Sequence, residues 1–292
     1  MTVYLDRFHF PDNVSEEIFL SNEERLKATC YSSVYPFTLF FEKGLEELKF
    51  EPVTFLYGGN GSGKTTILNI IAEKMKIQRG TYFNKSDFFD DYVGLCEQHT
   101  INSSFSIWRN SRIITSDDVF DYMLAVRCVN EKIDIKRENL FDEYMETKYS
   151  SFQMRSLDDY EQLKKNNDVK KHTFSKYVKR NLMGNIREQS NGESAFWFFT
   201  ENIKENALYL LDEPENSLAV ELQVKLLKFI EDSARFFGCQ FIIATHSPFL
   251  LSMKESQIYD LDETPIAGKK WTELENVRSY FNFFKEHEEE FK

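Results

Sequence analysis

The sequence predicts an α/β fold: a mostly parallel sheet flanked by helices, with a helical subdomain inserted into it. Three observations carry this. Short apolar runs of strand type alternate with segments of helical periodicity, the pattern of a parallel sheet covered by helices. A glycine cluster, Gly58-Gly59-Asn60-Gly61-Ser62-Gly63, joins one such run to a helix. From about Asn102 to Glu188 the chain turns polar, helical in pattern and almost free of glycine. The expected organisation is a first core part over residues 1–101, a helical lid over 102–189 and a second core part over 190–292.

Taken in order, Thr2 to Phe10 and Phe37 to Phe41 are rich in aromatic and β-branched residues and read as the first two strands. Val53 to Tyr57 is a short apolar strand running directly into the glycines. Thr66 to Ile77 follows as a helix, with Ile67, Ile70, Ile71 and Met75 on one face. Ser116-Asp117-Asp118 is a helix start, followed by Val119, Tyr122, Met123 and Val126 at helical spacing. Heptads are not sustained, so no coiled coil is expected. Ala207 to Leu211 is a buried-strand pattern. Val220, Val224, Leu227, Ile230 and Ala234 then form the apolar face of a long helix. Cys239 to Thr245 and Gln257 to Leu261 read as further strands, and the chain from Trp271 onward as an amphipathic helix ending in an acidic run.

A hydrophobic fraction of 41%, with 28 Phe and 14 Tyr, is enough for a sizeable core. The formal net charge of -12 argues against generic coating of nucleic acid, although a local basic patch could still bind it. The cysteines (Cys30, Cys96, Cys128 and Cys239) lie far apart with no CxxC pair. That spacing predicts reduced thiols in a cytoplasmic protein rather than a disulfide framework or a zinc site. Met1 to Phe10 lacks the apolar core of a signal peptide, and no apolar run approaches the roughly 20 residues of a membrane span. No membrane segment is expected.

Four groups carry chemistry. Gly58 to Thr65 matches GxxxxGK[ST] between a strand and a helix, the context this motif requires. Its glycines let backbone N–H groups curl around phosphates, Lys64 supplies a point charge to them and the Thr65 hydroxyl is placed for Mg²⁺. Leu208 to Leu211 ends in Asp212 and Glu213. A buried strand would deliver Asp212 to the metal and Glu213 to the attacking water as general base. Ser190-Asn191-Gly192-Glu193, ahead of Ala195 to Phe198, reads by itself first as a capping box, whose geometry also leaves a helix N-terminus open to phosphate. His246 ends the strand that precedes Ser247 and Pro248, either as a polar terminus or as a contact to a terminal phosphate.

With these pieces in this order, the chain resembles the ABC ATPase superfamily over nearly its whole length. The resemblance implies an ABC-type P-loop core holding ATP and Mg²⁺, with ATP bound by Gly58, Gly59, Asn60, Gly61, Ser62, Gly63, Lys64, Thr65 and Thr66. It also implies a homodimer closed head to tail by ATP, in which Ser190, Gly192 and Glu193 of one copy meet the ATP of the other. Glu213, His246 and Lys64 would be the catalytic residues, and Thr65, Asp212 and Gln98 the metal set, with Gln98 linking Mg²⁺ to the lid. Tyr35 or Phe37 would stack on adenine.

The chain departs from the pattern at several positions. Gln189 and Asn191 replace the usual leucine and first glycine of the signature, and Glu193 its final glutamine. Ala219 stands where transporters carry the D-loop aspartate. DEPENSL followed by ATHSPFLL is similar instead to soluble RecF-like, SMC-related and phage-defence ATPases. That likeness implies coupling to DNA or to an effector protein, a nuclease or toxin in another chain. The alternatives are the nucleotide-binding subunit of a transporter with a membrane partner, and a module that binds ATP without turnover. Between Lys164 and Arg187, eight basic residues (Lys164, Lys165, Lys170, Lys171, Lys176, Lys179, Arg180 and Arg187) face only Asp168. They read either as a solvated helix face or as a nucleic-acid or acidic-partner surface, with Phe174 and Tyr177 interleaved.

Overall fold

A computed structural model describes residues 1–22, 26–27, 33–101, 105–149, 167–182 and 190–292. Its elements run β1 (Leu5–His9), α1 (Asn13–Leu20), β2 (Glu47–Lys49), β3 (Val53–Tyr57), α2 (Lys64–Met75), β4 (Gln78–Arg79), α3 (Phe89–Leu95), β5 (Glu97–Thr100), α4 (Phe105–Asn110), β6 (Arg112–Thr115) and α5 (Ser116–Tyr149). They continue with α6 (Phe174–Asn181), α7 (Asn191–Asn202), β7 (Leu208–Asp212), α8 (Val220–Phe236), β8 (Gln240–Ala244), α9 (Pro248–Leu251), β9 (Gln257–Asp260), β10 (Ala267–Gly268) and α10 (Glu275–Glu286).

The chain divides into two compact units, one formed by Met1–Phe120 with Asn191–Lys292 and the other by Asp121–Ser190. The first unit is α/β. Its larger sheet has the order β10-β9-β3-β8-β7-β6-β4, parallel throughout except for the β10–β9 pair. A smaller antiparallel sheet has the order β2-β1-β5. Strands β3, β7 and β8 are buried at every position, which a parallel sheet requires when both of its faces are covered. Ile67, Leu68, Ile70 and Ile71 of α2 pack in the same core as Leu208, Leu210 and Ile242 of the sheet. The two sheets are tied by the buried Gln240 side chain. Its Oε1 accepts from Tyr4 N and Leu5 N at 2.8 and 2.9 Å, while its Nε2 donates to Leu5 O at 2.8 Å.

Several expectations change. Residues 37–41 form no strand: Phe37 and Phe40 are buried side chains on a turn segment, and the second strand is β2. Their aromatic content reflects core filling rather than a pleat. The stretch 105–120, expected in the lid, belongs to the first unit because β6 pairs with β7 and β4. On α8 the buried face is Leu226, Ile230 and Ala234, with Val220 and Val224 half exposed. Asp118 accepts from Thr115 N and Thr115 Oγ1 at 2.8 and 3.0 Å, fixing the turn from β6 into α5.

In the second unit, Tyr144, Val169 and Tyr177 are buried together, with Leu140 and Phe174 packed against them. The aromatics interleaved with the basic residues therefore fill a small core instead of standing free to stack on bases. Lys170, Lys171 and Lys176 are exposed. Lys164, Lys165 and Arg187 lie outside the described residues, as do the side chains of Lys179 and Arg180.

Candidate functional site

The register of the large sheet builds the site. Leu56 pairs with Ala244, Ala244 with Asp212, and Asp212 with Thr115, so four chain segments leave the sheet at one level. The crevice outside the carboxyl ends of parallel strands is where such folds bind ligands.

From Tyr57 the chain turns through Gly58–Gly63 into α2. Gly63 has φ +103, and a Cβ there would lie 2.9 Å from Cε1 of the buried Phe40 ring. Gly61 has φ +80, and a Cβ there would meet nothing within 4 Å, so the loop keeps open space at this position. The Lys64 Nζ donates to Gly58 O and Gly59 O at 2.7 and 2.9 Å, holding its ammonium over the loop. Burial pulls the Lys64 pKa down, opposed by the nearby carboxylates of Glu213, Asp212, Asp262 and Glu215. Two residues outside the motif brace the loop. Asp262 Oδ2 accepts from Gly59 N at 2.6 Å, and Lys43 Nζ donates to Ser62 O and Leu261 O, each at 2.8 Å. No local signal in the sequence marks either residue.

The Thr65 Oγ1 donates to Asp212 Oδ1 at 3.1 Å. Burial pushes the Asp212 carboxyl up to about 6, with the Thr65 hydrogen bond acting in the opposite direction. A buried carboxylate beside a hydroxyl fits a small hard cation such as Mg²⁺, which keeps most of its oxygen ligands from water and substrate phosphates. Among the described residues, no group of three or more His, Cys, Asp and Glu side chains could hold a metal by itself. When bound, the ion would be held by Thr65 and Asp212 and would neutralise phosphate charge. Thr65 and Asp212 open onto a pocket of about 470 Å³ shared with Tyr35, Asn69, Arg79 and Thr115. The Arg79 guanidinium lies 4.2 Å over the Phe83 ring and donates to Asn69.

Glu213 has φ 47, and its N–H donates to Ala244 O at 2.9 Å. That left-handed turn directs the chain out of β7 at the site, a conformation that costs energy in a non-glycine residue. Glu213 Oε1 stands 3.4 Å from His246 Nε2, and its Oε2 accepts from Asn216 Nδ2 at 3.0 Å. The His246 Nε2 is a buried nitrogen with no hydrogen-bond partner, an orphan that a terminal phosphate would satisfy. Glu215, which the sequence reading passed over, accepts at Oε1 from Thr245 Oγ1, His246 N and Ser247 N. Asn276 of α10 donates to His246 O at 3.2 Å.

The remaining candidates divide. Tyr35 OH is hydrogen-bonded to Thr66 Oγ1 at 2.8 Å and lines the pocket. Phe37 is buried and stacked on Phe19 at 4.4 Å, so it has no free face for a base. Gln98 lies exposed on β5, the edge strand of the antiparallel sheet, paired with Phe8. It is not among the residues lining the pocket of Thr65 and Asp212; Thr115, Ser116 and Asp117 at the end of β6 are. Gly192 and Glu193 lie in the first turn of α7, with the exposed Ser190 just before it. A Cβ on Gly192 would lie 2.8 Å from Leu222 Cδ1 and 3.2 Å from Ser217 O, so α7 approaches the 217–222 segment closely.

A family model described as "AAA domain, putative AbiEii toxin, Type IV TA system" matches residues 72–252, more than half of the chain. The match begins within α2, after the P-loop. The Saccharomyces cerevisiae protein described as "Uncharacterized ABC transporter ATP-binding protein/permease YOL075C" is 24% identical over 201 residues, 67% of this chain. The chain spans only 14% of that relative's length. Among solved structures, the ATP-binding cassette MJ0796, in a dimeric post-hydrolysis state bound to ADP and Pi, is 15% identical at a TM-score of 0.38. It covers 78% of this chain and 90% of its own. Stu0660 of Streptococcus thermophilus is 14% identical at a TM-score of 0.38, covering 73% of this chain and 71% of its own.

Proposed function

This chain belongs to that family of AAA domains, and on that premise we propose that it binds Mg-ATP at the P-loop and hydrolyses it as an ATP-driven switch. Two copies close head to tail around ATP, Ser190 and Gly192 of one copy meeting the nucleotide of the other. Closure acts on DNA or on an effector protein in another chain.

One observation carries the reading. Adjacent parallel strands bring Lys64, Thr65, Asp212, Glu213 and His246 to the carboxyl end of the sheet, with Thr65 bonded to Asp212 and His246 beside Glu213. In this reading Lys64 and the P-loop N–H groups bind the phosphates. Glu213 orients and polarises the attacking water, and His246 contacts the terminal phosphate through its orphaned nitrogen. The family description, which names an AbiEii toxin and a Type IV TA system, supports the branch in which ATP is coupled to an effector protein. The yeast relative supports a second reading, a transporter subunit, although among the described residues no helix is long and apolar enough to cross a membrane.

The test is steady-state ATPase of the purified chain, with and without double-stranded DNA, against Glu213→Gln. Turnover that the substitution lowers by about a hundredfold or more supports the assignment. Equal rates for the two proteins would remove Glu213 from the mechanism. Stimulation by DNA that fades steeply with salt would favour the nucleic-acid branch; indifference to DNA would favour a protein partner.

A further inference from the structure

We infer that Glu215 is a positioning residue for this reaction: its carboxylate fixes the loop that carries His246 and thereby sets where the imidazole stands against Glu213. The inference rests on the ATPase reading above. Glu215 Oε1 accepts three hydrogen bonds, from Thr245 Oγ1 at 2.7 Å, His246 N at 2.6 Å and Ser247 N at 3.1 Å. Those donors are three consecutive residues at the end of β8, and His246 is the middle one. Glu215 itself follows Glu213 by two positions, so one short segment carries both the proposed base and the anchor for its neighbour. A second tie runs from the same loop to α8, where Ser247 Oγ donates to Gln223 Oε1 at 2.7 Å.

Glu215 Oε2 is buried with no hydrogen-bond partner. Burial raises the Glu215 pKa, opposed by its hydrogen bonds to Thr245 and His246. The three donors converge on one oxygen, which pins the loop at the point where His246 leaves the strand. Glu215 also borders a groove of about 760 Å³ that His246 and Asn216 line.

The experiment uses the full chain with ring-labelled histidine. NMR follows the His246 ring cross-peak, assigned by its absence in His246→Gln. Glu215→Ala is expected to shift or broaden that peak while those of His9, His99, His172 and His287 stay in place. Glu215→Gln, which keeps an acceptor for the three donors, is expected to restore it. In turnover, Glu215→Ala should lower kcat by about tenfold with the KM for ATP within about twofold. In a His246→Gln background the same substitution should add less than about twofold, because both act through one imidazole.

An unmoved cross-peak overturns the inference whether or not the chain hydrolyses ATP. Additive losses in the double variant, or a KM that rises in step with the fall in kcat, also overturn it. A displaced peak in a chain whose wild type shows no turnover upholds the positioning and removes the hydrolysis reading. If Glu215→Ala does not fold, Thr245→Val, which deletes one of the three donors, is expected to move the same peak; an unmoved peak there counts against the inference.

Discussion

The hydroxyl of Thr65 donates to Oδ1 of Asp212 at 3.1 Å, joining the first turn of the P-loop helix to the end of a strand 147 residues away. This bond holds together the two oxygen-bearing side chains proposed for the metal. Burial, which this bond opposes, makes Asp212 sensitive to pH.

Asp212 is raised by burial to about 6, from an ordinary value of 3.8. The folded chain therefore holds this proton more tightly than the unfolded chain. The stability it contributes is complete below about 4 and is lost as pH rises through 6. Asp212→Asn, always neutral, should melt higher than the wild type at pH 8 in the nucleotide-free state, by on the order of 3 kcal/mol. The gap should close as pH falls from 6 to 4. Calorimetry across that window checks the sign, and a gap that widens on acidification would refute the burial argument. The same variant should lose Mg²⁺-dependent ATP binding.

Lys64 donates to two P-loop carbonyls while burial lowers its pKa. Removing it deletes two hydrogen bonds and one buried ammonium, terms of opposite sign. Lys64→Met should thus change nucleotide-free stability by less than about 1 kcal/mol. Titration calorimetry should show ATP affinity falling by about tenfold or more. Undiminished affinity would detach the lysine from the phosphates.

Gly63 and Gly61 separate two effects that the motif combines. Gly63→Ala places a Cβ 2.9 Å from a buried phenylalanine ring in a left-handed backbone. Denaturant melts should show a loss of about 1–3 kcal/mol. Gly61→Ala meets nothing within 4 Å, so only its positive φ costs stability, about 1 kcal/mol. It should nevertheless weaken ATP binding by filling the space in front of the loop. Equal stability losses would contradict the packing argument.

Gln98 is exposed on the edge of the antiparallel sheet. Gln98→Ala should leave ATPase rate and Mg²⁺ dependence within about twofold of the wild type. A larger loss would mean that this strand reaches the nucleotide in the working assembly.

The P-loop, the Asp212-Glu213 strand end and the position of His246 were legible in the sequence because each is a local pattern. Glycines appear where the backbone needs room, and four or five apolar residues in a row mark a strand covered on both faces. Which strands lie side by side carries no such local mark. The sheet places β8 between β3 and β7, so Ala244 pairs with both Leu56 and Asp212. That order brings His246 to Glu213 and lets Glu215 reach three donors some thirty residues further along the chain. The same long-range packing explains what was misread. The resemblance offered Phe37 as an adenine platform and the charge pattern offered Tyr177 as a base platform, but each fills a core, and Gln98 has the expected residue type on a strand paired into the other sheet. Asp262 and Lys43 hold the P-loop from segments with no motif. Sequence alone determined which residue types stand in the glycine loop and at the strand ends, because those patterns are set at short spacing. Only the tertiary structure decided which side chains meet around it, because strand order and register follow from burying both sheet faces at once.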